Sequence, residues 1–254
     1  MQYNQIFRLL KICLLLSLSC IPGQLIAADL SSDELTNIRG LIKPNTKAAI
    51  SSEIAAQIEK MPYREGQRFN KGDVLIKFDC SLYHAALASS KATYEASQKR
   101  LENNKQLVAL DALSNIELEL SEIDVKKNRA AMEAARINTS RCRIKAPFNG
   151  RVIETVVNKY ESVARDQELL SILDDRDLII ELIVPSKWLT WLKEGMNFSF
   201  AVDETGKRYS AAVSQLGAVV DPVSQTIRIT GRFTETVDVL SGMSGTAKFE
   251  SIDQ

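Results

Sequence analysis

Histidine is all but missing from this chain: His84 is the only one in 254 residues, and just four cysteines, at positions 13, 20, 80 and 142, stand with it. A structural zinc site takes four Cys or His ligands, usually in closely spaced pairs. Cys80 and Cys142 have no CxxC partner, so they build no metal knuckle. A hydrolytic triad needs a histidine oriented by an acid beside a nucleophile, and with no second member near it His84 reads as a solvated helix residue. No GxGxxG or other glycine-rich phosphate loop occurs, which excludes the nucleotide-binding turns that depend on such glycines. An excess of one charge is lacking too, since 32 Lys and Arg face 32 Asp and Glu. With no basic stripe interleaved with aromatics, nucleic acid is not a partner.

Long apolar runs are also absent. The longest, Ile12 to Ile21, is about half of the roughly 20 residues that span a bilayer, and Pro22 ends it. Arg8 and Lys11 precede it, and Pro22, Gly23 and the small residues Ala27 and Ala28 follow. This order of basic, apolar and small residues is that of a secretory signal peptide, with cleavage expected after Ala28. Cys20 leaves open a lipid anchor attached after cleavage, although Ser17 and Leu18 stand where such a signal carries Leu and a small residue. Removal of residues 1–28 takes away Arg8 and Lys11 and leaves 30 basic against 32 acidic residues, with Cys80 and Cys142 the remaining cysteines. The periplasm is the expected compartment.

What is present is an internal repeat. Shifted by 94 positions, the segment Ile54 to Asp79 brings Ile58 onto Val152, Phe69 onto Val163, Leu75 onto Leu169, Ile76 onto Leu170 and Phe78 onto Ile172. Two halves that each expose an apolar face are expected to pair into one β module. In the first half Glu65-Gly66 and Lys71-Gly72 read as hairpin turns, since glycine supplies the positive φ of tight turns. The second half has Tyr160 and Asp166 at those positions, so its turns are expected to be built differently or to be longer.

Between the halves, from Ser81 to Arg141, there is no proline and no glycine, and Ala, Glu, Lys, Arg and Leu dominate. These are strong helix formers. Leu87, Tyr94, Leu101 and Val108 recur every seven residues, as do Ile116, Ile123, Ala130 and Ile137, which gives a heptad seam on each of two helices. The stretch Asp111 to Asn115 separates them, with Ser114 placed as an N-cap and Glu117 as its capping-box partner. A turn near position 112 makes the two rows face each other in pairs whose numbers add to 224, an antiparallel coiled-coil hairpin about 43 Å long. The same rule brings Cys142 within two residues of the position opposite Cys80. An oxidising compartment permits a disulfide there; two buried free thiols are the alternative.

After Asp174 short strands return, beginning with Leu178 to Val184. Pro185-Ser186 opens a short helix expected over Lys187 to Glu194, ended by Gly195, with Trp188, Trp191 and Leu192 as its core face. Further strands up to GTAKFES, together with an early one at Thr36 to Lys43, suggest a small antiparallel barrel in which both ends of the chain meet.

The segments AAISSEIAAQIEKMPYREGQRFNKGDVLIKFD, RIKAPFNGRVIETVV, VVDPVSQTIRITGRF and LSGMSGTAKF resemble those of the periplasmic adaptor subunits, or membrane fusion proteins, of tripartite efflux pumps. The resemblance implies an α+β, mainly β fold: a split lipoyl-like module with an inserted antiparallel α-helical coiled-coil hairpin, and a small antiparallel β-barrel. The implied boundaries are a signal peptide at 1–28, a barrel of 29–48 and 175–254, a lipoyl-like domain of 49–79 and 143–174, and a hairpin of 80–142. A true lipoyl carrier has its modified lysine at the turn that Asp79-Cys80 opens into the hairpin here, so no cofactor and no enzymatic activity are expected. The implied partners are an inner-membrane transporter, an outer-membrane channel of the TolC type and further copies of the chain. In the family the hairpin tip meets the channel through an Arg, a Leu four residues on and a Ser seven further. Leu107 and Ser114 fit that spacing, with Leu110, Asp111 and Leu113 between them, while Asn103 occupies the Arg position and Arg100 and Lys105 lie near it. Full-size adaptors continue into a membrane-proximal domain, whereas only Ile252, Asp253 and Gln254 follow the last strand, so the barrel alone is expected to grip the transporter. A resistance-nodulation-division (RND) transporter suits a cleaved leader without an anchor helix; an ATP-binding-cassette exporter or type I secretion system is the alternative partner. A periplasmic scaffold unrelated to transport is the reading from a different class.

Overall fold

A computed structural model describes residues 37–249; the expected leader, its expected cleavage after Ala28 and Cys20 lie outside the described residues. The chain enters through β1 (Asn37–Pro44), β2 (Lys47–Ser51), β3 (Ala56–Lys60), β4 (Arg68–Phe69) and β5 (Val74–Phe78). It leaves through α1 (Ser81–Ala109) and α2 (Asn115–Ser140) and returns through β6 (Arg143–Lys145), β7 (Gly150–Thr155), β8 (Ser162–Val163) and β9 (Glu168–Leu173). The remainder is β10 (Leu178–Pro185), a 3₁₀ turn (Ser186–Thr190), β11 (Asn197–Val202), β12 (Arg208–Asp221), β13 (Thr226–Phe233) and β14 (Ser244–Phe249).

The repeat folds by interleaving. One four-stranded sheet runs β2-β9-β7-β4 and the other β6-β5-β3-β8, so each takes strands from both halves and the 94-residue shift carries one sheet onto the other. The matched pairs Ile58 and Val152, Leu75 and Leu169, and Phe78 and Ile172 are all buried in one core. Neither half could close that core alone, which is why the module forms only after the helical insertion has returned.

The four turns are equivalent, contrary to the expectation for the second half. Gly66 has φ 77° and Tyr160 φ 71°, and Gly72 has φ 90° and Asp166 φ 65°. Left-handed backbone costs a non-glycine residue about 1–2 kcal/mol, and cross-anchoring between the halves offsets it. The Tyr160 amide donates to the Ile58 carbonyl as the Gly66 amide does to Val152, each at 2.9 Å. Likewise the Asp166 amide donates to Ser52 at 2.7 Å and the Gly72 amide to Ala146 at 2.9 Å. These turns are not hairpins, since β3 pairs with β5 and β8 while β4 pairs with β7.

The barrel closes in the order β1-β10-β13-β12-β11-β14, with β1 between strands from the far end of the chain. Phe200, Phe249, Ile42 and Ile180 lie in its core. The helix expected over Lys187 to Glu194 is shorter, a 3₁₀ turn, because the Gly195 amide is drawn to the Val213 carbonyl at 2.8 Å and the chain is pulled onto β12. Trp188 is buried there against Phe249, with ring centroids 5.4 Å apart. β2 belongs to the module sheet, so the barrel gives way to the module at Asn45-Thr46 rather than at 48. In the bend between β9 and β10 Asp175 accepts from Arg68 at 2.7 Å and lies 3.4 Å from Arg151, while Asp177 accepts from Asn45 at 2.6 Å and Arg232 at 3.2 Å.

Candidate functional site: the helical pair, its tip and its base

At the base, both strands entering the helices are tied to the module. Asp79 accepts from the Ser81 amide at 3.1 Å, opening α1, and Arg141 at the end of α2 pairs with Glu53 at 2.7 Å. A disulfide joins Cys80 to Cys142, whose Cα atoms are 6.0 Å apart, and both residues are buried in the module core. Next to it the Thr139 hydroxyl donates to the Tyr83 carbonyl at 3.4 Å. His84 is exposed beside this base.

These two contacts set the register of the antiparallel pair, because 80 and 142 add to 222, as do 83 and 139. The expected constant of 224 is corrected by two residues. Two residues are about 200° of helix, enough to turn the expected α2 seam outward. Ile116 is 71% exposed, Ile123 50% and Ile137 47%. The seam that α2 presents inward is instead Leu118, Ser121, Val125, Asn128, Met132 and Ala135, again at heptad spacing. On α1 the expected Leu87, Tyr94, Leu101 and Val108 do turn inward, alternating with Ser90, Ser97 and Asn104. Ser97 and Ser121 are buried, and each hydroxyl donates to a carbonyl three residues back at 2.7 Å, which satisfies it without a partner across the seam.

At the tip the amides of Leu110 and Ala112 both donate to the Leu107 carbonyl, at 3.2 and 2.9 Å, and Asp111 takes φ 55° to turn the chain. The Ser114 hydroxyl accepts from the Glu117 amide at 3.2 Å and caps α2. Leu110 is 75% exposed, whereas Leu107 and Leu113 are half-buried. The tip residues named from the sequence thus form one small cap, with Leu110 as its exposed apolar point.

Two exposed apolar features escaped the sequence reading. One is the outward row on α2, whose signal was present but was assigned to the inner seam. The other is the far end of β12 and β13, where Val219 is 79% and Val223 93% exposed; the bulge between Leu216 and Val220 that carries it is a tertiary feature. Titratable groups at the two ends of β13 answer to their hydrogen-bond partners. Backbone amides of the turn hold the Asp221 carboxyl below its usual range, and burial of Asp175 opposes its charge but is outweighed by Arg68 and Arg151, so its pKa is also lowered. Among the described residues no cluster of His, Cys, Asp and Glu could hold a metal ion, and no helix is long and apolar enough to cross a membrane.

No family model matches the sequence. The chain is 23% identical over 233 residues to multidrug resistance protein MdtA of Yersinia enterocolitica, covering 81% of this chain and 52% of that protein. Its fold matches a MacA-MexA chimeric protein containing the Pseudomonas aeruginosa MexA α-hairpin domain, with TM-score 0.73, 22% identity and coverage of 84% of this chain and 79% of the other. The membrane fusion protein Spr0693 of Streptococcus pneumoniae gives TM-score 0.71 at 14% identity, over 85% of this chain and 99% of that one. In sequence this chain is similar to multidrug resistance protein MdtA, and in fold it matches a solved membrane fusion protein. It spans little more than half the length of the curated relatives it matches.

Proposed function

We propose that this protein is the periplasmic adaptor of a tripartite efflux pump, joining an inner-membrane transporter, of the RND type, to an outer-membrane channel of the TolC type. The observation that carries the reading is the long helical pair standing on a module of two interleaved halves, with a closed barrel beyond. The helical pair acts as a coiled-coil arm, its tip cap around Leu110 and Ser114 meets the channel, and the barrel end bearing Val219 and Val223 meets the transporter. The chain itself performs no chemistry; energy comes from the transporter. Its relation to a multidrug resistance protein and to membrane fusion proteins supports this reading.

Affinity capture of the tagged, full chain from crosslinked membranes tests it. Recovery of a transporter and an outer-membrane channel is expected, together with sensitisation of a deletion strain to at least one toxic compound. Recovery of neither partner overturns the adaptor reading, and recovery of an ATP-binding-cassette exporter overturns the RND assignment alone.

A further inference from the structure

The ribbon of β12 and β13 outgrows the barrel. Of the 14 residues of β12 only Arg208 to Ala212 pair with β11; from Val213 onward the strand pairs with β13 alone, up to Asp221 opposite Thr226. This end lies away from the module. Leu178 of β10 pairs with Pro44 beside the crossing into the module, and β10 reaches Thr226 only at Pro185, about 23 Å further on. The ribbon ends in Leu216 to Val223, a stretch whose one charged residue is Asp221. Ala218, Val219, Val220, Pro222 and Val223 are all exposed. The Asp221 carboxylate accepts from the amides of Val223 and Ser224, each at 2.9 Å, and Pro222 has no amide. The turn therefore offers apolar side chains while its own amides are satisfied.

Residues 186–195 are strapped along this ribbon. The Ser186 amide donates to the Gln225 carbonyl and the Gly195 amide to the Val213 carbonyl, both at 2.8 Å, and the Leu216 amide donates to the Glu194 carboxylate at 3.4 Å. Lys187 and Lys193 of the strap are exposed, and among the described residues neither forms an ion pair. Leu189 between them is exposed, and Trp191 is half-buried against Phe249. We infer that the tip of the ribbon is a lipid wedge: Val219, Val220 and Val223 enter the headgroup boundary of a phospholipid membrane, and Lys187 and Lys193 meet its anionic headgroups. Lipid is preferred to a protein pocket because an apolar turn with satisfied amides stands ahead of two uncompensated cations. A phospholipid surface has the matching order, with anionic heads outside and hydrocarbon beneath, and attraction to it grows with both apolar area and positive charge. The half-buried indole of Trp191 suits the same boundary. The inference rests on the adaptor reading for direction only, since that reading turns this barrel end toward the inner membrane and its transporter.

Flotation of the exported chain with vesicles of phosphatidylethanolamine and phosphatidylglycerol, with no other protein present, tests the inference. The chain should float with the vesicles. Val219→Asp and Val223→Asp should each lower its partition coefficient about tenfold, the scale of one valine withdrawn from an apolar layer, and Lys187→Gln together with Lys193→Gln should lower it several-fold. An environment-sensitive fluorophore on Val223→Cys should shift to the blue with vesicles, Cys80 and Cys142 being bonded to each other. The same fluorophore on Leu110→Cys, an exposed apolar position at the tip of the helical pair, should not. No flotation, flotation indifferent to the aspartate or to the lysine changes, or an equal shift at the two labelled positions overturns the inference. Capture of transporter and channel from crosslinked membranes is read separately: capture without flotation refutes the wedge and leaves the adaptor reading standing, and flotation without capture does the reverse.

Discussion

Opening the Cys80–Cys142 bridge should loosen the helical pair and the module but leave the barrel nearly untouched. The bridge closes a loop of 62 residues, for which the chain-entropy relation gives about 4 kcal/mol. The bridge lies within the module core, while the barrel has a core of its own. Two spectroscopic signals separate the two bodies. Trp188 and Trp191 are the only tryptophans and both pack in the barrel cluster, so fluorescence follows the barrel. Far-UV ellipticity is dominated by the helices of 29 and 26 residues and follows the helical pair. Urea titrations of the oxidised protein and of a Cys80→Ala, Cys142→Ala variant should show the ellipticity transition lowered by about 4 kcal/mol. The fluorescence transition should move by less than about 1 kcal/mol, the scale of an indirect effect between separate cores. An ellipticity transition unchanged within about 1 kcal/mol would refute the entropic reasoning, and equal shifts of both signals would refute the independence of the two bodies.

Ser114→Arg should abolish efflux, read as drug susceptibility in a deletion strain, while thermal unfolding changes by no more than about 1 kcal/mol, the loss of one helix cap; normal efflux would remove the tip from the channel contact. Asp175→Asn should destabilise the protein at neutral pH by about 1–2 kcal/mol, a value kept low because Arg68 is largely exposed. Since the folded pKa of Asp175 is lowered, that contribution is present above the unfolded value near 4 and is lost as pH falls through the folded one, so the two proteins should converge in acid denaturation. Gly150→Ala would drive a Cβ into the Leu173 carbonyl and should destabilise the module by about 2 kcal/mol or more, measured by the ellipticity transition; a neutral outcome would mean that β7 and β9 are less closely apposed.

The repeat, the helical insertion and the strand-rich remainder were legible in the sequence because each rests on a local period: two halves 94 residues apart, heptads without glycine or proline, and short apolar runs between turns. Ser114 as a cap was legible for the same reason, since its bond to the Glu117 amide spans three residues. Which heptad faces inward was not, because α2 carries two rows of that spacing and hydrophobicity alone prefers the isoleucines. The choice is made by contacts far apart in the chain, the Cys80–Cys142 bridge and the Thr139–Tyr83 hydrogen bond, which place the seam two residues from where composition puts it. Tyr160 and Asp166 tell the same story in the turns: local preference asks for glycine, and hydrogen bonds to Ile58 and Ser52 of the other half hold the left-handed backbone in its absence. Sequence by itself determined which segments are helix and strand and that the two halves belong together. Tertiary structure decided which faces they turn to one another, because register is set where distant backbone and sulfur atoms meet.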